Sequence, residues 1–213
     1  REIPNALLSL VDYDIDKAIE IFKELFKYSP PPQDVTQGSP TLALKFQGRD
    51  NENWVFEEAI NALSELLRNP KFTEKAHALA IEVEKQALQE EEKLHDFEQG
   101  ITLDYSSIWL SDKSFDSERL EYNHDKKERV ALEIEKALNE LTPIDNTVAS
   151  TILGKLVNEK YEVFYLIVIK VLIRHIKIYS QLAKSLVFDT KLWLVHNVRN
   201  YFLQTLITNY FQT

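Results

Sequence analysis

Glycine occurs at only four positions in this 213-residue chain: Gly38, Gly48, Gly100 and Gly154. Loops that cradle phosphate need glycines close together, because glycine lets the backbone approach an anion and take left-handed turns. The nearest pair here, Gly38 and Gly48, is ten residues apart. A P-loop, a dinucleotide-binding G-x-G-x-x-G turn and a G-x-S-x-G nucleophile elbow are therefore excluded. The same scarcity suits helices, whose interiors each glycine weakens by about 1 kcal/mol. An all-α fold is predicted.

Apolar periodicity places the helices. Ile15, Ala18, Ile19, Phe22, Leu25 and Phe26 form one helical stripe, with Asp14 before it as a cap. Ser29-Pro30-Pro31-Pro32 ends that helix, since proline offers no backbone donor and disfavours helix in the residue before it. A short helix around Asn5–Val11 is expected to precede it. Residues 29–51 read as a long loop in which Thr41–Phe46 alternates like a short strand without a clear partner. Further helices are predicted over Glu52–Arg68, stopped by Asn69-Pro70, and over Thr73–Phe97, closed by Gly100. Residues 101–122 are irregular, with Trp109 as an anchor onto the core.

A helix over His124–Leu141 follows, then a short one through Val157 capped by Asp145 or Asn146. Val163–Ile169 is an unbroken apolar run, and Val171, Leu172, Ile173, Ile176 and Ile178 extend it. A helix apolar on most sides belongs in the middle of a bundle, so Lys160–Val187 is predicted to be one long central helix. Lys170 and Arg174 interrupt it too soon for a span of about 20 apolar residues, and no transmembrane segment is expected. A last helix, Lys191–Phe211, takes Asp189 as its N-cap. The expected architecture is a multi-helix bundle or helical array of about seven or eight helices. Phe22, Leu63, Val83, Ile134, Ile169 and Phe202 sit mid-stripe and are assigned to the core.

Charge divides the chain unevenly. The formal net charge is −9, yet residues 1–150 hold 17 basic and 31 acidic side chains against 8 and 3 in residues 151–213. One domain over 1–213 is expected, in which an acidic stretch, residues 1–150, packs on a mildly basic, apolar stretch, residues 151–213. The absence of cysteine excludes disulfides, cysteine-ligated metals and thiol catalysis. The first residues lack a basic stretch followed by an apolar core, so a cytoplasmic protein is expected.

Several residue sets could carry chemistry. Glu92/His95 and Glu121/His124 are Glu-x-x-His pairs, which place both side chains on one helix face as in dinuclear metal bundles. Such a site also needs carboxylates from two further helices, and the pairs lie in acidic, solvated sequence. His95-Asp96 and His124-Asp125, with His77 upstream, resemble the histidine and His-Asp pattern of HD-type phosphohydrolases. That likeness implies an all-helical, metal-dependent enzyme, but it is confined to the dipeptides. Asp14–Pro30 resembles the second helix of a tetratricopeptide repeat, with Ala18, Phe22 and Pro30 at that family's spacing. No further copy follows at its period of roughly 34 residues, and a single amphipathic hairpin accounts for the segment. His175 and His196 sit in apolar helices and read as core or boundary histidines.

Lys170, Arg174, Lys177 and Lys184 form a basic stripe, sharing one face of the central helix at offsets of 4, 7 and 14. This is the candidate partner-binding site, fitting an acidic segment; the overall negative charge argues against nucleic acid. The favoured reading is a non-catalytic interaction or scaffold module with a protein partner and no cofactor. The alternatives are a metal-dependent helical enzyme using His95 or His124, and a peripheral membrane-surface protein using the C-terminal helices.

Overall fold

The computed structural model describes residues 6, 9–11, 13–26, 57–90, 95–96, 100–103, 126–195, 198 and 203–212. These are almost wholly helical, as the glycine scarcity predicts. The chain forms two compact units, Arg1–Glu90 and Glu91–Thr213. The charge boundary at residue 150 falls inside the second unit, within a helix.

In the first unit, helix α1 (Ile15–Phe26) begins where Asp14 accepts a hydrogen bond from the Lys17 backbone N–H at 3.2 Å. That donor is the first cause of an Asp14 pKa held below the ordinary carboxylate value. Ala18 and Phe22 turn inward and are fully buried. Helix α2 (57–68) buries Ala59, Ile60, Leu63, Leu66 and Leu67. It stops before Pro70, and the Asn69 carbonyl accepts from the Phe72 N–H at 3.0 Å and the Thr73 hydroxyl at 2.8 Å. This corner opens helix α3 (Thr73–Glu90), which packs on α1.

The predicted third helix does not run to Phe97. His95–Asp96 (β1) pairs antiparallel with Thr102–Leu103 (β2), with His95 opposite Leu103. Gly100, at φ +76°, lies between these strands. It therefore serves a hairpin turn and not a helix terminus, a use of the left-handed region equally open to glycine.

In the second unit, α4 (Lys126–Leu141) leads through a short turn to α5 (Asn146–Glu159). Asp145 caps α5, its carboxylate accepting from the N–H groups of Thr147 and Val148 at 3.1 Å each. Lys160 ends the helix in the left-handed conformation, φ 60°. Its carbonyl accepts from the Thr102 N–H at 2.8 Å, which ties β2 to the link between α5 and the next helix.

That helix, α6 (Glu162–Arg174), buries every residue from Glu162 to Ile169, and Val171 and Leu172 beyond. It packs against α4, α5, α7 (Ser180–Val187) and α9 (Gln204–Gln212). The predicted unbroken helix Lys160–Val187 is thus two helices. Residues 175–178 form turns, and the His175 carbonyl accepts from both Ile178 and Tyr179 N–H. The break follows from tertiary contacts, because the Tyr179 hydroxyl lies 3.1 Å from that of Thr142 in the α4–α5 turn. The Thr142 hydroxyl donates to the Leu138 carbonyl at 2.8 Å, so Tyr179 is the donor to Thr142.

The predicted last helix is likewise divided. Asp189 caps α8 (Thr190–Leu194) by accepting from the Lys191 N–H at 3.0 Å. Val195 is already extended, and α9 is a separate element. Phe22, Leu63, Val83, Ile134 and Ile169 are all buried. Phe202, Trp109, the 29–51 loop and the Thr41–Phe46 strand lie outside the described residues.

Replacing Ile169 by Ala leaves a cavity in a helix enclosed by neighbours, and should lower stability by about 2–5 kcal/mol. Urea unfolding followed by circular dichroism measures it.

Candidate functional site

The basic stripe is not one surface. Lys170, on α6, is mostly buried and its ammonium donates to the Glu135 carboxylate of α4 at 3.2 Å. Burial pulls its pKa below the ordinary lysine value, while the Glu135 charge works in the opposite direction. Lys170 therefore belongs to an internal seam between α4 and α6. The acidic residue facing it comes from α4, a partner that sequence spacing does not reveal.

Arg174, Lys177 and Lys184 are exposed. Arg174 closes α6, Lys177 lies in the following turn and Lys184 is in the last turn of α7. Cations at these positions also complement the negative ends of the two helix dipoles. None of the three forms an ion pair among the described residues. The stripe of four thus resolves into one paired lysine and three solvated cations spread over a helix end, a turn and a second helix.

A polar cluster lies under this edge. His175 faces the Asn139 backbone carbonyl of α4, which raises its pKa, but burial and the nearby Arg174 charge outweigh that and lower it. Its Nε2, and Oδ1 of Asn139, have no hydrogen-bond partner among the described residues. Burial raises the Tyr179 pKa, with Thr142 and Ser150 hydrogen bonds opposing. The cluster locks the α6–α7 turn onto the end of α4.

In the first unit, His77 is fully buried on α3. One ring nitrogen, Nδ1, lies 2.8 Å from the Thr73 carbonyl and donates to it, and Nε2 has no partner among the described residues. Desolvation lowers its pKa to about 4, so the ring is neutral at physiological pH. The side chains of Glu92, His95, Glu121 and His124 lie outside the described residues, as does His196. Among the described residues no group of three or more His, Asp or Glu side chains converges as a metal site would. No helix there is long and apolar enough to cross a membrane.

Sequence reasoning missed the apolar side chains that accompany the free cations. Ile178 is exposed beside Lys177, and Phe188 and Leu194 are exposed on either side of Lys191. Their stripes look continuous with the core in sequence, and only the helix breaks turn them outward. The one usable signal was Asp189, a cap whose preceding residue, Phe188, stands at a corner. Comparison with family models, with curated proteins and with solved structures finds no match to this chain.

Two outcomes test these assignments. His77 binds its proton less readily when folded than when unfolded, so its contribution to stability is complete above pH 6.5. It is lost as pH falls from there through the folded value of about 4. Between pH 7 and pH 5 the protein should lose about 2 kcal/mol more than its His77→Gln variant, read from urea unfolding at each pH. For the seam, Lys170→Met alone leaves the largely buried Glu135 without its cation and should cost about 1–3 kcal/mol. The double variant Lys170→Met/Glu135→Leu should recover most of that loss, since an apolar pair can replace an ion pair of this burial.

Proposed function

We propose that the protein is a non-catalytic, cytoplasmic interaction module that receives an acidic segment of a protein partner along Arg174, Lys177 and Lys184. One observation carries this reading. These three cations are exposed and without ionic partners among the described residues, whereas Lys170 of the same sequence stripe is paired internally. Ile178 supplies an apolar contact within the same edge. The polar cluster beneath it holds the edge in one shape, which reduces the ordering cost of binding. Rim cations of this kind steer association and weaken with salt.

The test is fluorescence anisotropy with a labelled Glu/Asp-rich peptide at low and moderate salt. Saturable binding is expected, at least tenfold weaker in Arg174→Glu/Lys177→Glu and weaker at the higher salt. Absence of saturable binding, or equal affinity for the variant, overturns the reading.

A further inference from the structure

The C-terminal end of α7, where Lys184 lies, carries a second feature. Phe188 follows the last residue of that helix, and its N–H donates to the Lys184 carbonyl at 3.1 Å. Asp189 then turns the chain and caps α8. The Trp193 indole N–H donates to the Val187 carbonyl at 2.7 Å, which draws α8 back across the end of α7. Leu186, Val187, Leu192 and Val195 are buried beneath the corner. The corner is therefore fixed from below and through its own hydrogen bonds.

Two large apolar side chains are left outside it, Phe188 at 66% and Leu194 at 55% exposure. Single exposed hydrophobes are ordinary, but two on one short corner held by its own hydrogen bonds can serve as a contact surface. Their high exposure means that they protrude and do not line a groove. Lys184 and Lys191 lie within four residues of Phe188 on either side, both exposed and without ion pairs among the described residues. The nearest carboxylate, Asp189, is engaged at the α8 N-terminus.

We propose that this corner contacts an anionic lipid surface. Phe188 and Leu194 enter the boundary between headgroups and acyl chains, while Lys184 and Lys191 meet the anionic headgroups. A protruding apolar tip needs a receiving medium that yields around it, and a fluid leaflet provides one without a preformed pocket. The flanking lysines match the negative surface potential of such a leaflet. Two apolar side chains and two cations make a shallow, reversible attachment, well short of a spanning anchor. The site shares Lys184 with the acidic-segment edge but uses neither Arg174 nor Lys177. Helix α7, about 12 Å long by helical rise, separates Phe188 along the chain from the turn that carries Lys177.

The experiment is sedimentation of the full chain with vesicles of phosphatidylcholine alone or with about 30 mol % phosphatidylserine. Binding is expected to the anionic vesicles only, and to fall as salt rises. Phe188→Ser/Leu194→Ser and, separately, Lys191→Glu should each weaken it at least tenfold while circular dichroism stays unchanged, because these side chains are outside the core. Both variants keep Arg174 and Lys177, so their affinity for the acidic peptide should stay as in the parent. No binding to anionic vesicles, or binding that the Phe188→Ser/Leu194→Ser protein retains, overturns the proposal. Loss of peptide binding in that variant, without vesicle binding by the parent, assigns the corner to a protein partner and overturns it equally.

Discussion

Enclosure of α6 on all sides is the constraint from which the second unit is built. Eight consecutive residues, Glu162 to Ile169, are withdrawn from water, and four neighbouring helices supply the surfaces that do this. A helix so enclosed has no solvated face on which to set its rotation. Its orientation comes instead from its ends and from Lys170, whose ammonium must reach the Glu135 carboxylate. Glu162 stands in the first turn, where free backbone N–H groups and the helix dipole favour an acid. This interior ion pair therefore acts as a register mark on an otherwise apolar cylinder.

Termination of α6 at Arg174 creates the proposed binding edge. Had the helix continued, Lys177 and Lys184 would have followed Lys170 along one helix face. The Tyr179–Thr142 hydrogen bond and the His175–Asn139 approach hold the chain in a turn at this point. Beyond it, α7 buries Ala183, Leu186 and Val187 and leaves Lys184 outside. A second turn at Phe188–Asp189 repeats the effect. Each break in helical continuity carries one or two apolar residues from the inward stripe to the surface, beside a lysine or arginine.

Features decided by local chemistry were legible in the sequence. The start of α1 follows from Asp14, the α2–α3 corner from Asn69-Pro70, and the start of α5 from the carboxylate of Asp145. Features decided at a distance were not. The turn at 175–178 contains neither glycine nor proline, and the hydroxyl that fixes it comes from a residue 37 positions away. Gly100 announced a left-handed residue but could not say whether a helix or a hairpin would use it. For the candidate site, charge spacing identified the cations. It could not distinguish Lys170, which faces Glu135 from another helix, from the three that face water.

Lys160 and Tyr161 are the whole connection between α5 and α6. The first is a lysine in a left-handed conformation and the second bridges to Thr102 beside it. Such a joint has no slack to absorb a change in chain length. One inserted residue taken up by α6 would turn it by about 100°, carrying Lys170 away from Glu135 and into hydrocarbon. In a helix with an exposed face, the same insertion would merely exchange wet and dry positions. The all-round burial of α6 thus makes its chain length, at this one joint, the quantity that divergence can least afford to alter.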